Sequence, residues 1–200
     1  MLDYACGPGT ITAALLGRAS EFVGVDVSEN MVKAYNERFA GSGSESGSKQ
    51  QSGGTGGTIT RSAKAFVGDL LDSRRGPSES ISGAEFFDFD LVVVGYGFHH
   101  FEDLDIAADR LASRLKPGGV LMMVDLVTHA KVEGADSNKH IIAHHGFGEE
   151  EVKAIFGRAG LVDVRVLEMD GEVEMKKPGA GKDEPGHRRK VFLGRGRKPA

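Results

Sequence analysis

The apolar positions of this chain follow two alternating rhythms. Largely apolar runs at residues 1–5, 22–25, 63–67, 89–94 and 120–127 read as strands. The run at 89–94 carries too little polar alternation for a half-exposed strand, and such continuous runs suit a parallel sheet covered on both faces. Between them, apolar residues recur three and four apart. Residues 10–19 carry Ile11, Ala14 and Leu15 in this way. A second helix begins after Ser28, an N-cap type, with Glu29 at its positive end, and runs to about residue 40. A third follows Asp103 with Leu104, Ala108, Leu111 and Leu115 on one stripe, stopped by Lys116-Pro117-Gly118-Gly119. A fourth follows Gly148, opens on Glu149-Glu150-Glu151, buries Val152, Ile155, Phe156 and Ala159, and ends at Gly160. Two last strands, 161–169 and 189–193, are joined by a polar, glycine-rich loop. Repeated strand–helix units predict a doubly wound, Rossmann-like α/β sheet.

Residues 41–58 break the pattern. They read GSGSESGSKQQSGGTGGT, with no apolar side chain to offset the entropy of ordering them, and predict a flexible insertion within a single domain of 200 residues. Net charge is −4, from 25 Lys and Arg against 29 Asp and Glu, which argues against a nucleic-acid binder. One cysteine excludes a disulfide framework and a Cys-only zinc site. No apolar run reaches the ~18 residues of a membrane-spanning helix. The expectation is a soluble, cytoplasmic protein without a membrane span.

Chemistry gathers where the predicted strands end. In open α/β sheets the ligand sits beyond the carboxyl ends of the strands, beside the first. There Gly7 and Gly9 allow a tight turn and a close backbone approach. The helix that follows aims its free amides at the same spot. Asp26, nineteen residues after Gly7, closes the second strand, where a carboxylate can accept from a ribose diol. Asp69 closes the third, placed to meet the amine of an adenine. Together these tips outline a nucleoside with a short charged tail.

The residues from Leu2 through Asp3, Cys6, Gly7, Pro8 and Gly9 to Thr10 resemble the first motif of class I S-adenosylmethionine-dependent methyltransferases, in particular the small-molecule subgroup of ubiquinone and menaquinone biosynthesis. Val23-Gly24-Val25-Asp26, running on to Met31, is similar to that family's ribose segment, and Val67-Gly68-Asp69-Leu70 to its adenine segment. Phe89-Asp90-Leu91 through Gly95-Tyr96-Gly97-Phe98-His99-His100-Phe101 resembles its fourth-strand motif, and Leu115-Lys116-Pro117-Gly118-Gly119 the turn before the fifth strand. The resemblance implies an antiparallel pair at the end of a mostly parallel sheet, and S-adenosyl-L-methionine as cofactor. It also implies that Asp3, Gly7 and Gly9 hold the methionine part, Asp26 takes the ribose, Val27 and Met31 pack on the adenine, and Asp69 with Leu70 meets its edge. Gly95 and Tyr96 would face cofactor and substrate. Family members carry helices ahead of the first motif. Because this chain opens on that motif, we expect an N-terminally truncated member, its transfer impaired by the missing wall.

Methyl transfer from a sulfonium needs alignment first, and a base only when the acceptor must lose a proton. Histidine suits that task. His99 and His100 follow the fourth strand at the active face, and His144 lies in a loop near the pocket. Either they remove the proton of a small-molecule acceptor, or they shape the wall. They complete no metal set with a carboxylate or cysteine at helical spacing. Cys6 reads as a packed thiol. Arg188, Arg189, Lys190, Arg195, Arg197 and Lys198 read as a solvated strand edge. The alternatives are a nicotinamide-dependent oxidoreductase, although Thr12 stands where its third glycine belongs, and a non-catalytic regulatory subunit on the same fold.

Overall fold

The computed structural model describes residues 1–41, 62–72, 76–128, 143–175 and 186–200. Apart from Gly41, the insertion expected at 41–58 lies outside the described residues. The N-terminal half runs β1 (Leu2–Tyr4), α1 (Thr10–Ala14), β2 (Glu21–Asp26), α2 (Glu29–Arg38), β3 (Ser62–Val67) and β4 (Phe89–Gly95). It continues with α3 (Leu104–Ser113), β5 (Leu115–Leu126), α4 (Glu149–Arg158), β6 (Val162–Glu168), β7 (Val173–Met175), β8 (His187–Arg189) and β9 (Val191–Arg197).

Seven strands form one sheet in the order β3-β2-β1-β4-β5-β9-β6. The pairs from β3 to β5 are parallel, and β9 runs antiparallel to both β5 and β6. The chain winds outward from β1 to β3, then crosses back to β4. That reversal opens a crevice between β1 and β4, the position where doubly wound sheets bind ligands.

Burial follows the apolar runs of the central strands, whereas β3, expected to be covered on both faces, is an edge strand of the sheet and buries only Ala65. Val92, Val93 and Val94 are each fully buried, as central strands covered on two faces require. One face packs Phe98, Leu111, Leu121, Phe147, Phe156 and Phe192 against α3 and α4. The other packs Tyr35, Phe39 and Val32 of the α2 region on Cys6 and Ala65, and Ile11 and Leu15 on Phe22 and Val93. Full burial of one such side chain contributes about 1.5–3 kcal/mol. Ser28 and Asp103 cap α2 and α3 as expected, accepting from the amides of Met31 and Ile106.

Three expectations need correction. The first helix ends at Ala14 and not near residue 19, because Gly17 adopts a left-handed φ of 92° that turns the chain toward β2. Leu115 leaves the helix stripe and joins β5, pairing with Phe89 before the register shifts to Leu91 and Val120. The last strand begins at Val191. Residues 187–189, partly assigned to it, form a separate two-stranded ribbon with β7. β9 is also internal, so Arg195 and Arg197 do not sit on a sheet edge. It pairs with β5 on one side and β6 on the other, and its glycines let α4 close over its face. A Cβ at Gly194 would come 3.0 Å from Val152, and one at Gly196 3.0 Å from Phe156, so α4 packs directly on bare backbone. Arg197 faces the other way and closes on Asp163 of β6 at 2.7 Å.

Candidate active site

The tips of β1, β2 and β4 enclose a cleft of about 990 Å³. Of the residues expected there, Asp3, Gly7, Asp26, Val27, Met31, Asp69, Gly95, Tyr96 and His100 line it. Gly9, Leu70, His99 and His144 do not.

Asp26 is held from two turns, its own and the one after β1. The Gly7 N–H donates to Oδ2 and the Ser28 N–H to Oδ1, both at 2.9 Å. This pins the carboxylate at the strand tip, where it borders the cleft. Gly7 has a φ of 50°, and a Cβ built there would meet nothing within 4 Å, so this turn leaves open space beside it. Val27 and Met31, 65% and 43% exposed, form an apolar ledge on the cleft wall. Such exposed apolar side chains next to fixed carboxylates suit the flat face of a base beside a polar sugar.

Asp3 is different. It is 1% exposed, and its Oδ2 accepts from the Thr12 N–H at 3.2 Å and the Thr12 hydroxyl at 2.8 Å. Its Oδ1 has no hydrogen-bond partner among the described residues, although Asp3 lines the cleft. Burial pushes its carboxyl up to about 7, against the lowering pull of Thr12 and with the Asp26 charge adding to the rise. An orphaned buried acceptor facing a cleft fits a cationic donor. The amide of Thr12, counted among the free donors of α1, is therefore already used by Asp3.

Gly9 serves packing. It holds the left-handed N-cap of α1 with φ 78°, and a Cβ there would lie 2.4 Å from Phe39 and 2.9 Å from Tyr35. Leu70 is buried, and its N–H donates to the Tyr4 hydroxyl at 3.0 Å. Leu71 and Asp72 stand at the cleft in its place. Asp69 accepts from the Leu71 N–H at 2.7 Å and from the Tyr4 hydroxyl at 3.3 Å. Cys6 is buried, and burial together with the charges of Asp3 and Asp26 pushes its thiol well up from the ordinary range. It is a packed side chain and not a nucleophile.

At the other end, Gly95 lets Ile11 pack where a Cβ would sit 2.3 Å from it. Ala5 and Tyr96 both adopt left-handed φ, 54° and 55°, at the tips of β1 and β4. Strain of this kind costs about 1–3 kcal/mol each and concentrates where side chains must be aimed. The two histidines divide. His100 is exposed on the cleft wall, whereas His99 is 6% exposed with its Nδ1 2.8 Å from Asp125 Oδ1. Their rings lie 4.0 Å apart. His144 binds the Phe101 carbonyl through Nε2 at 3.1 Å and packs on Phe147.

Sequence reasoning missed Asp125 and Tyr4. Asp125 had a signal close to that of Asp26 and Asp69, a lone acid near the carboxyl end of an apolar strand. Among the described residues no group of three His, Cys, Asp or Glu could hold a metal ion, and no helix is long and apolar enough to cross a membrane.

Residues 2–121 match the family model described as "Methyltransferase domain". An uncharacterized methyltransferase of Schizosaccharomyces pombe is 31% identical over 173 residues, which cover 84% of this chain and 55% of that one. The chain thus spans about half the length of this relative. Demethylmenaquinone methyltransferase of Staphylococcus aureus is 25% identical over 199 residues, covering 86% of this chain and 71% of its own. Among solved structures, phosphoethanolamine N-methyltransferase 2 of Haemonchus contortus in complex with S-adenosyl-L-methionine gives a TM-score of 0.63 at 16% identity, covering 100% of this chain and 48% of that one. The YcgJ protein of Bacillus subtilis gives 0.62 at 15%, covering 100% and 91%. At such identities the structures bear on the fold alone.

Proposed function

The chain belongs to the class I S-adenosylmethionine-dependent methyltransferases, and from that premise we propose that it transfers a methyl group to a small-molecule acceptor. Family membership sets aside the nicotinamide alternative. The residues fit the cofactor. The orphaned Asp3 Oδ1 is an acceptor for its ammonium group, the open space at Gly7 admits its backbone-hugging tail, and Asp26 is an acceptor for its ribose. Val27 and Met31 offer the apolar ledge for its base, with Asp69 beyond them.

S-adenosylmethionine supplies, when bound, a methyl group already activated by the sulfonium charge. The chain's own contribution is alignment, worth ~7–11 kcal/mol when reacting atoms are held in line. The left-handed backbone at Ala5 and Tyr96 aims the tips of β1 and β4 into one space. Phe101 and Tyr96 give the acceptor end apolar surface, and His100 gives it a proton acceptor. A cleft of about 990 Å³ lies at the upper end of small-molecule sites, and a cofactor would take up part of it. The name of the Staphylococcus aureus relative also favours a small acceptor.

The single observation that carries the proposal is the unpartnered, buried Asp3 oxygen at the wall of this cleft. The test is transfer of a labelled methyl from S-adenosylmethionine to a panel of small hydroxyarenes, quinols and amines. Label in the extracted acceptor, lost in Asp26→Ala, is the expected result. Label that appears only in added protein or RNA would overturn the small-molecule reading.

A further inference from the structure

Asp125 is the most deeply buried carboxylate of the described residues outside the cleft wall, at 0% exposure. An unpaired charge in that position would be costly, and this one is fully engaged. Its Oδ1 lies 2.8 Å from His99 Nδ1 and accepts from the Leu126 N–H at 2.8 Å, while Oδ2 accepts from the His99 N–H at 3.3 Å. Both oxygens act as acceptors toward backbone amides, and toward an ionised Asp125 the His99 Nδ1–H is the donor that this 2.8 Å contact calls for. That fixes the His99 tautomer and the plane of its ring. The carbonyl of His99 is locked too, accepting from the N–H groups of Ala143 and His144 at 3.0 Å each.

His99 lies between this anchor and the cleft. Its ring centroid is 4.0 Å from that of His100, the planes inclined by 45°, and His100 is the histidine on the cleft wall. We infer that Asp125, acting through His99, positions His100 as the base for an acceptor that must give up a proton, such as a hydroxyl or an acidic carbon. The inference rests on the reading of the cleft as a methyl-transfer site. In the step assigned to His100, the acceptor's X–H bond breaks and its electron pair stays on X. The proton forms an N–H bond with a ring nitrogen of His100. Because His100 is exposed, the proton then leaves to water. His99 and Asp125 touch neither acceptor nor cofactor in this scheme; they are positioning residues. Other titratable groups near His100 among the described residues include Tyr96 at the β4 tip, Glu102 and Asp103 on the same cleft wall, and His144 against the turn that carries it.

Diethyl pyrocarbonate tests this without a known acceptor, because it acylates the free-base form of an accessible imidazole. The rate of His100 modification is followed by tandem mass spectrometry from pH 5.5 to 8.5 in the full chain, in Asp125→Asn and in His99→Gln. The His100→Gln protein serves to assign the adduct. S-adenosylhomocysteine binding checks each protein. The expected result is a threefold or larger change in the His100 rate at pH 7, with a displaced pH profile, in both variants. If Asp125→Asn fails to fold, His99→Gln decides alone, since its side-chain amide can still donate to Asp125. Wild-type rates and profile in variants that bind S-adenosylhomocysteine would overturn the inference. A wild-type chain that does not bind S-adenosylhomocysteine would instead overturn the cofactor reading beneath it.

Discussion

The two ends of the cleft are built in opposite ways. At the end formed by β1, β2 and β3, carboxylates are held largely by backbone amides at the strand tips: Asp26 by those of Gly7 and Ser28, Asp69 by that of Leu71. At the end formed by β4 and β5, side chains are held by partners from distant elements. His99 leans on Asp125, and His144 reaches the Phe101 carbonyl 43 residues away. The first kind of site is written mainly into the turns at the strand tips, with the buried Tyr4 hydroxyl bracing the Asp69 turn. The second depends on how β5 and the segment at 143–147 pack.

The most damaging way to break the contrast is Gly9→Val. The substitution puts a branched side chain at φ 78° with its Cβ 2.4 Å from Phe39. Left-handed strain and overpacking together cost about 4 kcal/mol. A urea midpoint should fall accordingly, although Gly9 touches no part of the cleft. A midpoint within 1 kcal/mol of wild type, on the order of surface substitutions, would show that α1 does not need this close approach.

Asp3 sharpens the comparison through pH. An unfolded aspartate loses its proton near 3.8, the folded Asp3 near 7. Between those values the native state keeps a proton that the unfolded chain has lost, so this group withdraws stability as pH rises from about 4 to 7 and no more above that. Binding of the cofactor's ammonium favours the ionised form. Affinity for S-adenosylhomocysteine should therefore rise with pH up to about 7, by at most about tenfold per unit, and then level off. Asp3→Asn keeps an oxygen for Thr12 and turns an amide to the cleft. It should melt higher than wild type at pH 8, bind roughly tenfold more weakly and lose the pH slope. An unchanged slope, read by calorimetry, would place the titration elsewhere.

The smallest effect belongs to the acceptor end. His144→Ala removes one half-buried hydrogen bond, worth about 0.5–1.5 kcal/mol. The melting temperature should drop by a few degrees with S-adenosylhomocysteine affinity unmoved. A loss of affinity above fivefold would mean that the two ends are not separable.

The same division explains what could be read from the chain. Strand runs such as Phe89–Gly95, the Ser28 and Asp103 caps, and the acids closing β2 and β3 are local signals, and the structure places them where the pattern implied. β9 could not be recognised as internal, because its place depends on pairing with both β5 and β6, contacts between elements distant in the chain. Likewise His99 and His100 are neighbours of one type in the sequence, and only Asp125 on β5 tells them apart. Gly9 and Leu70 matched motif positions, yet tertiary packing turned one toward Phe39 and took the other's amide for Tyr4.

The most direct test of the central claim, that the tips of β1 to β3 hold S-adenosylmethionine, is a calorimetric titration of the purified chain with S-adenosylhomocysteine beside Asp26→Ala. The account predicts saturable one-site binding that the variant weakens about 100-fold, roughly 2.7 kcal/mol. Equal affinity in the two proteins, or no saturable heat from a wild-type chain that melts cooperatively, would contradict it.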